Sequence, residues 1–160
     1  MAKKKEEAKV KISLSIIDIQ ETAFKYNIEY DYSKLSKDVL GLELNGNLNP
    51  NVNDNILGVK TSLSYVDIRD KTILVELAIL IKFSISNLSK LIEIKNDALE
   101  VMDDNFVLSL FNISIGTLRG VLYSRLKGTP LEDYPLPAIP ADSLNEFFLK
   151  APTKKITPQK

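Results

Sequence analysis

Histidine and cysteine are the side chains most often recruited for bond-making chemistry near neutral pH, and this sequence contains neither. Their absence removes thiol nucleophiles, imidazole bases, disulfides and every zinc site built on Cys or His. Carboxylates remain, with Lys and Arg beside them. The adjacent pairs Asp103-Asp104 and Glu132-Asp133 are the candidates for acid–base or metal work. Neighbouring carboxylates at helix starts and in loops ordinarily serve as solvated caps. No glycine-rich phosphate loop appears, since Gly116 and Gly120 stand four apart inside a helical pattern with no Lys-Ser or Lys-Thr after them. Arg119 precedes Tyr123 by four positions, where it would stack over the ring or face water. The residues predict no enzyme, no metal and no cofactor.

Apolar and aromatic side chains offer more. Phe24, Tyr26, Ile28, Tyr30 and Tyr32 alternate with Lys25, Asn27, Glu29 and Asp31, the cleanest strand signal in the chain. Two readings of that strip stay open: one side facing the core, or an aromatic strip partly exposed to a partner. Tyr134, Leu136 and Ile139 lie on a proline-punctuated run, Thr129 to Pro140, that favours an extended path across a surface. Phe147 and Phe148 follow on a short aromatic segment opened by Asp142 or Ser143.

The elements that would position these residues can be read from periodicity. With 160 residues, 44% of them apolar, the chain has material for one core. We expect a single domain over 9–150, with disordered tails at 1–8 and 151–160, the second of them basic. Lys plus Arg equals Asp plus Glu at 21 each, which makes nucleic acid a poor default partner. No signal-peptide pattern follows the charged start, and the greasy run Ile73 to Ile81 is too short to span a bilayer. A cytoplasmic protein without membrane insertion is the expectation.

Val10, Ile12, Leu14 and Ile16 share one strand face, with a phase slip at Ile16-Ile17 that predicts a bulge. Leu40, Leu42, Leu44 and Leu48 form another alternating run, punctuated by Asn45-Gly46 as a turn or bulge. Asn47 to Asn55 reads as a loop. Val59, Thr61, Leu63 and Tyr65 alternate, then a polar turn from Asp67 to Lys71, then Ile73 to Ile85. That last strand carries Leu74, Ala78 and Leu80 on its second face, which hints at sheet-on-sheet packing between subunits. Leu91 to Asp103 reads as a connector with a helical turn. From Asp104 a helix places Val107, Leu110, Ser114, Leu118, Val121, Leu122 and Arg125 at three-and-four spacing. Its Gly116 and Gly120 form a notch, either for a second subunit or for packing on the chain's own sheet. Gly128 and Pro130 end it, and Ser143 with Glu146 has capping-box spacing for the last helix.

The element order resembles the SecB family of export chaperones from about Val10 to Phe148. The most specific likeness is local: Ser124-Arg125, Gly128-Thr129-Pro130, Leu136-Pro137-Ala138-Ile139 and Asp142-Ser143-Leu144, in that order. The resemblance implies an α+β fold with a four-stranded antiparallel sheet, a long C-terminal helix, an extended proline-containing connector and a short final helix. Its strands would be Lys9–Asp18, Asp38–Leu48, Asn55–Asp67 and Lys71–Leu88, the last two hinged at Ile68-Arg69-Asp70. It implies a homotetramer, a dimer of dimers, holding unfolded or nascent polypeptides in apolar grooves without ATP, in protein export or a related role. Phe24, Tyr26, Tyr30, Tyr32, Tyr134, Leu136, Ile139, Phe147 and Phe148 would then contact polypeptide. Gly116, Leu118, Gly120, Leu74 and Ala78 would form the oligomer interface. Two departures stand out: the tail lacks the Cys and His of a zinc site, and the chain is neutral where the family is acidic. Docking to the SecA motor is therefore in doubt. The alternatives are an interaction module for one dedicated partner, such as an antitoxin, and a carrier of a small apolar ligand.

Overall fold

The computed structural model describes residues 11–148. The tails expected at 1–8 and 151–160 lie outside the described residues. Four long strands form one antiparallel sheet: β1 (Leu14–Tyr26), β2 (Leu40–Asn51), β3 (Ile56–Asp67) and β4 (Ile73–Ile85). Their spatial order is β1-β4-β3-β2, so β3 and β4 are central and β1 and β2 are edges. A hairpin of β5 (Ile92–Lys95) and β6 (Ala98–Val101) follows, then α1 (Asp104–Leu126), the connector and α2 (Ala141–Phe148). This is the α+β architecture expected from the sequence.

Register explains the core. Phe24, Leu77, Leu63 and Leu44 stand in one row across the sheet, and Ile19, Ile81, Val59 and Leu48 in another. α1 lies over β3 and β4 on that face. Its buried residues Val107, Leu110, Phe111, Ile115, Leu118, Leu122 and Leu126 fill the space between. By length and composition α1 is apolar enough to cross a bilayer, although the longest apolar run read from the sequence was Ile73–Ile81. Here its apolar stripe is buried on the sheet. Asp103 opens the helix by accepting from the Phe106 N–H at 3.0 Å. Gly128, at φ 74°, closes the helix end where an L-side chain would be strained.

Several segments differ from their periodicity. The aromatic strip is not one strand, because β1 stops at Tyr26. Asn27 and Asp31 capture backbone N–H groups two residues on, of Glu29 and Ser33, and fold the chain into turns. β2 runs on through Asn51 where a loop was expected, and its Pro50 is tolerated because β2 is an edge. Asn45 and Gly46 are no turn; they pair with Ser62 and Thr61 in mid-strand. The expected connector at Leu91–Asp103 is instead a hairpin, with Asn96 and Asp97 both at positive φ in its turn. The phase slip is real, and β1 carries a second register shift between Glu21 and Ala23. α2 begins at Ala141, so Ser143 lies inside its first turn and does not cap it.

Candidate functional site

At one end of the sheet the chain between β1 and β2 forms an aromatic cluster. Tyr26 and Tyr32 stack with ring centroids 5.5 Å apart, and Tyr30 meets Tyr32 edge-on at 5.0 Å. All three are partly buried against the core. Tyr32 is anchored by donating its hydroxyl to the Asn27 carbonyl at 2.7 Å, and burial raises its pKa. Tyr30 donates to the Asp67 carboxylate at 2.6 Å, while Arg69 grips the same carboxylate with Nε and Nη2 at 2.9 and 2.6 Å. Arg69, read from sequence as part of a hinge, is thus a clamp.

These groups line a cleft with Glu29, Lys34 and Asp70. In it Arg69 is paired with Asp67 and Lys34 with Asp31. The Arg69 hydrogen bonds, then that of Tyr30, hold the Asp67 carboxyl well below the ordinary carboxylate range. A carboxyl whose folded pKa is depressed stabilises the fold above its unfolded value and loses that stabilisation as pH falls through the range below it. The chain should therefore lose stability below about pH 4. An Asp67→Asn variant should be less stable at pH 7 and show a flatter acid limb, measured by denaturant unfolding at several pH values. An unchanged acid limb would refute this role for Asp67.

The connector crosses above this end. Tyr65 of β3, its pKa pushed up to about 12 by burial, donates to the Tyr134 carbonyl at 3.0 Å. Arg119 of α1 donates to the carbonyls of Leu136 and Pro137 at 3.0 and 3.1 Å. Sequence reasoning offered Arg119 only Tyr123 or water; the signal it lacked was the connector's run of prolines, which have carbonyls to offer and no N–H. Tyr123 instead has the Lys127 ammonium 4.4 Å from its ring centroid. Within the connector Leu136 is buried and Tyr134 and Ile139 are half-buried; on α2 Phe147 is exposed, and Phe148 stacks on Phe111 with centroids 4.2 Å apart.

The proposed interface residues separate into two groups. Leu74 and Leu118 are fully buried inside their own chain and Ala78 nearly so, leaving them nothing to present to a second subunit. The face of β4 carrying Ala78 mixes Leu74 and Leu80 with Glu76, Lys82 and Ser84, and Ala78's own row holds Ala23, Ser62 and Asn45. Gly116 and Gly120 are exposed, and a Cβ built on either meets nothing within 4 Å. Their notch faces outward.

One apolar surface was not singled out from the sequence. Ile12, just before the edge strand β1, and Leu14, Ile16, Ile17 and Ile19 at its start are all at least 36% exposed. The charged side chains of β1 are engaged within the chain: Asp18 with Lys82, Glu21 with Arg125, and Lys25 with Glu76. Arg125, assigned to the apolar stripe by its spacing, instead spans from α1 to β1, forking onto Glu21 at 2.9 and 2.7 Å. It also lies 5.3 Å from the Phe24 ring centroid. The signal for this surface was present in the Val10–Ile16 alternation. What sequence could not supply was that α1 covers the central strands and leaves β1 open.

No family model and no curated protein matches this chain. Among solved structures it is similar to the Mycobacterium tuberculosis Rv1957 SecB-like chaperone in complex with a ChAD peptide from the Rv1956 HigA1 antitoxin. That likeness has a TM-score of 0.48 and 10% identity, covering 79% of this chain and 90% of that one. It is also similar to a protein of unknown function from Streptococcus agalactiae, with a TM-score of 0.40 and 13% identity over 81% of this chain and 98% of that one. At these levels neither likeness assigns a family or a function.

Proposed function

We propose that this chain is a cytoplasmic, ATP-independent holdase that takes non-native polypeptide onto exposed apolar surface and works as a homo-oligomer. The observation that carries the reading is the aliphatic strip along β1. An open strand edge presents unpaired N–H and C=O groups, and a strip of large aliphatic side chains beside it presents a dry contact. A partner that satisfies both at once is an extended polypeptide, which pairs by backbone and tolerates many side-chain sequences. Native edge strands are usually blunted by charge; on β1 the charges are engaged in ion pairs and only the bulges remain.

The test is light scattering of a chemically unfolded reporter on dilution, without nucleotide. Suppression at near-stoichiometric protein is expected. Unhindered aggregation would count against the holdase and favour a module with one folded partner.

For assembly, the open notch at Gly116 and Gly120 supports a contact between α1 helices of two copies. A Gly116→Leu, Gly120→Leu double variant should fold at least as stably, since each helical glycine costs roughly 1 kcal/mol and the space is free. It should sediment at a smaller mass than the parent. Equal masses would exclude this face from the assembly.

A further inference from the structure

β2 is the more regular of the two sheet edges. It holds unbroken register with β3 over its whole length, whereas the pairing of β1 shifts twice. Glu43 is its one charged residue. Bulges and charge are what normally keep an edge from pairing, and β2 has little of either. Pro50 fixes which groups the edge presents. Having no N–H, it turns its nitrogen side away from β3, and the same alternation turns the N–H and C=O of Leu44, Gly46 and Leu48 outward.

Asn45, Asn47, Asn49 and Asn51 take the alternate positions, exposed on the sheet face away from α1. Successive members stand about 7 Å apart. Asn51 is engaged with Asp54, donating from Nδ2 at 2.7 Å and accepting the Asp54 N–H on Oδ1 at 3.3 Å. The amides of Asn45, Asn47 and Asn49 have no partner among the described residues. A carboxamide both donates and accepts, so a row of them is complementary to a second copy of itself. Asparagine ladders of this kind stabilise strands paired between chains.

We propose that β2 is a second interface of the homo-oligomer, pairing antiparallel with β2 of another copy about a two-fold axis at Asn47. The inference rests on the assembly read above, in which two copies meet through α1; a dimer of dimers requires a further isologous surface. In this register Asn47 faces the partner's Asn47, and Asn45 faces the partner's Asn49, so each free amide meets another. Gly46 and the partner's Leu48 exchange both backbone hydrogen bonds, and the Leu44 N–H donates to the carbonyl of the partner's Pro50. Glu43 falls opposite the partner's Asn51 and away from the partner's Glu43, so no like charges meet. The sheet becomes continuous across both chains. The β1 strips remain at its two outer edges, open to client.

Sedimentation equilibrium of the full chain reads this interface. Asn47→Lys sets two ammonium groups face to face at the axis, from an exposed position, and should halve the mass of the assembly. Asn47→Asp should do the same, and an equal mixture of the two variants should regain the parental mass. Adding Asn47→Lys to the Gly116→Leu, Gly120→Leu variant should leave monomer. A second measurement reads the register directly. Asn47→Cys supplies the sole thiol of the chain. In a non-hydrogen-bonded antiparallel pair the Cα atoms lie about 4.5 Å apart, within disulfide reach, so this variant should crosslink to its own copy on mild oxidation. Asn45→Cys should not. Parental mass in Asn47→Lys, with no crosslink through Asn47→Cys, would overturn the β2 pairing and leave the α1 contact standing. A monomeric parent would overturn both.

Discussion

Replacing Ile16 and Ile19 together with lysine is expected to abolish most of the suppression of reporter aggregation while leaving the fold intact. Both side chains lie on the α1 face of β1, opposite Phe83 and Ile81, and are 47% and 49% exposed. Their exposed halves contribute little to the chain's own stability, and substitutions of that kind fall within about ±0.5 kcal/mol. Bound polypeptide would bury those halves. A full Ile side chain is worth roughly 1.5–3 kcal/mol, so two halves amount to about 2 kcal/mol, or roughly thirtyfold in affinity. Two ammonium groups would add a desolvation penalty to any apolar client. The check pairs light scattering with a thermal melt. Full suppression by a variant of smaller mass would assign the strip to a subunit boundary and move the client surface elsewhere.

Gly46→Val is expected to produce the largest loss of stability among single substitutions outside the buried core. A β-branched side chain at this position demands the volume held by Phe111 and Phe148. Phe111 belongs to the long helix and is 2% exposed, so it has little freedom to retreat. Phe148 is at the end of the last helix and yields first. Overpacking costs about 1–3 kcal/mol, and loss of α2 docking places Gly46→Val near the top of that range. Denaturant unfolding should show the loss, and hydrogen exchange should show α2 exchanging freely while the sheet stays protected. A variant with parental stability and a protected α2 would mean that the rings repack at no cost. The contrast with Gly116 and Gly120 is one of space alone: all three glycines lie inside regular elements, and only Gly46 is under a ring.

The two central strands and the long helix were legible because their patterns match how they are used. β3 and β4 alternate apolar residues and are buried, and α1 has a stripe as broad as the surface it covers. Legibility failed where a local polar side chain overrode the period. Phe24 to Tyr32 alternates without a flaw, yet Asn27 and Asp31 turn the backbone, and the tyrosines meet as a stacked cluster instead of a stripe. Asn47–Asn51 fails in the opposite sense: asparagines and a proline signal a loop, but an edge strand paired on one side accepts them. The candidate site was read in part. The aromatic residues named from sequence are partly buried or gathered near the connector and α2, except Phe147, which is exposed. The β1 strip escaped because exposure depends on which strands α1 covers, and that follows from strand order, which no single stretch of sequence carries. Arg119 and Gly46 escaped for a related reason, since each answers to a segment far along the chain.

Hydrogen exchange at individual amides, with and without a chemically unfolded reporter and without nucleotide, tests the central claim most directly. New protection is expected on the outward-facing amides between Leu14 and Tyr26, with α1 unchanged beneath its own sheet contacts. Protection confined to other surfaces, with the β1 edge exchanging as in the free chain, would contradict it.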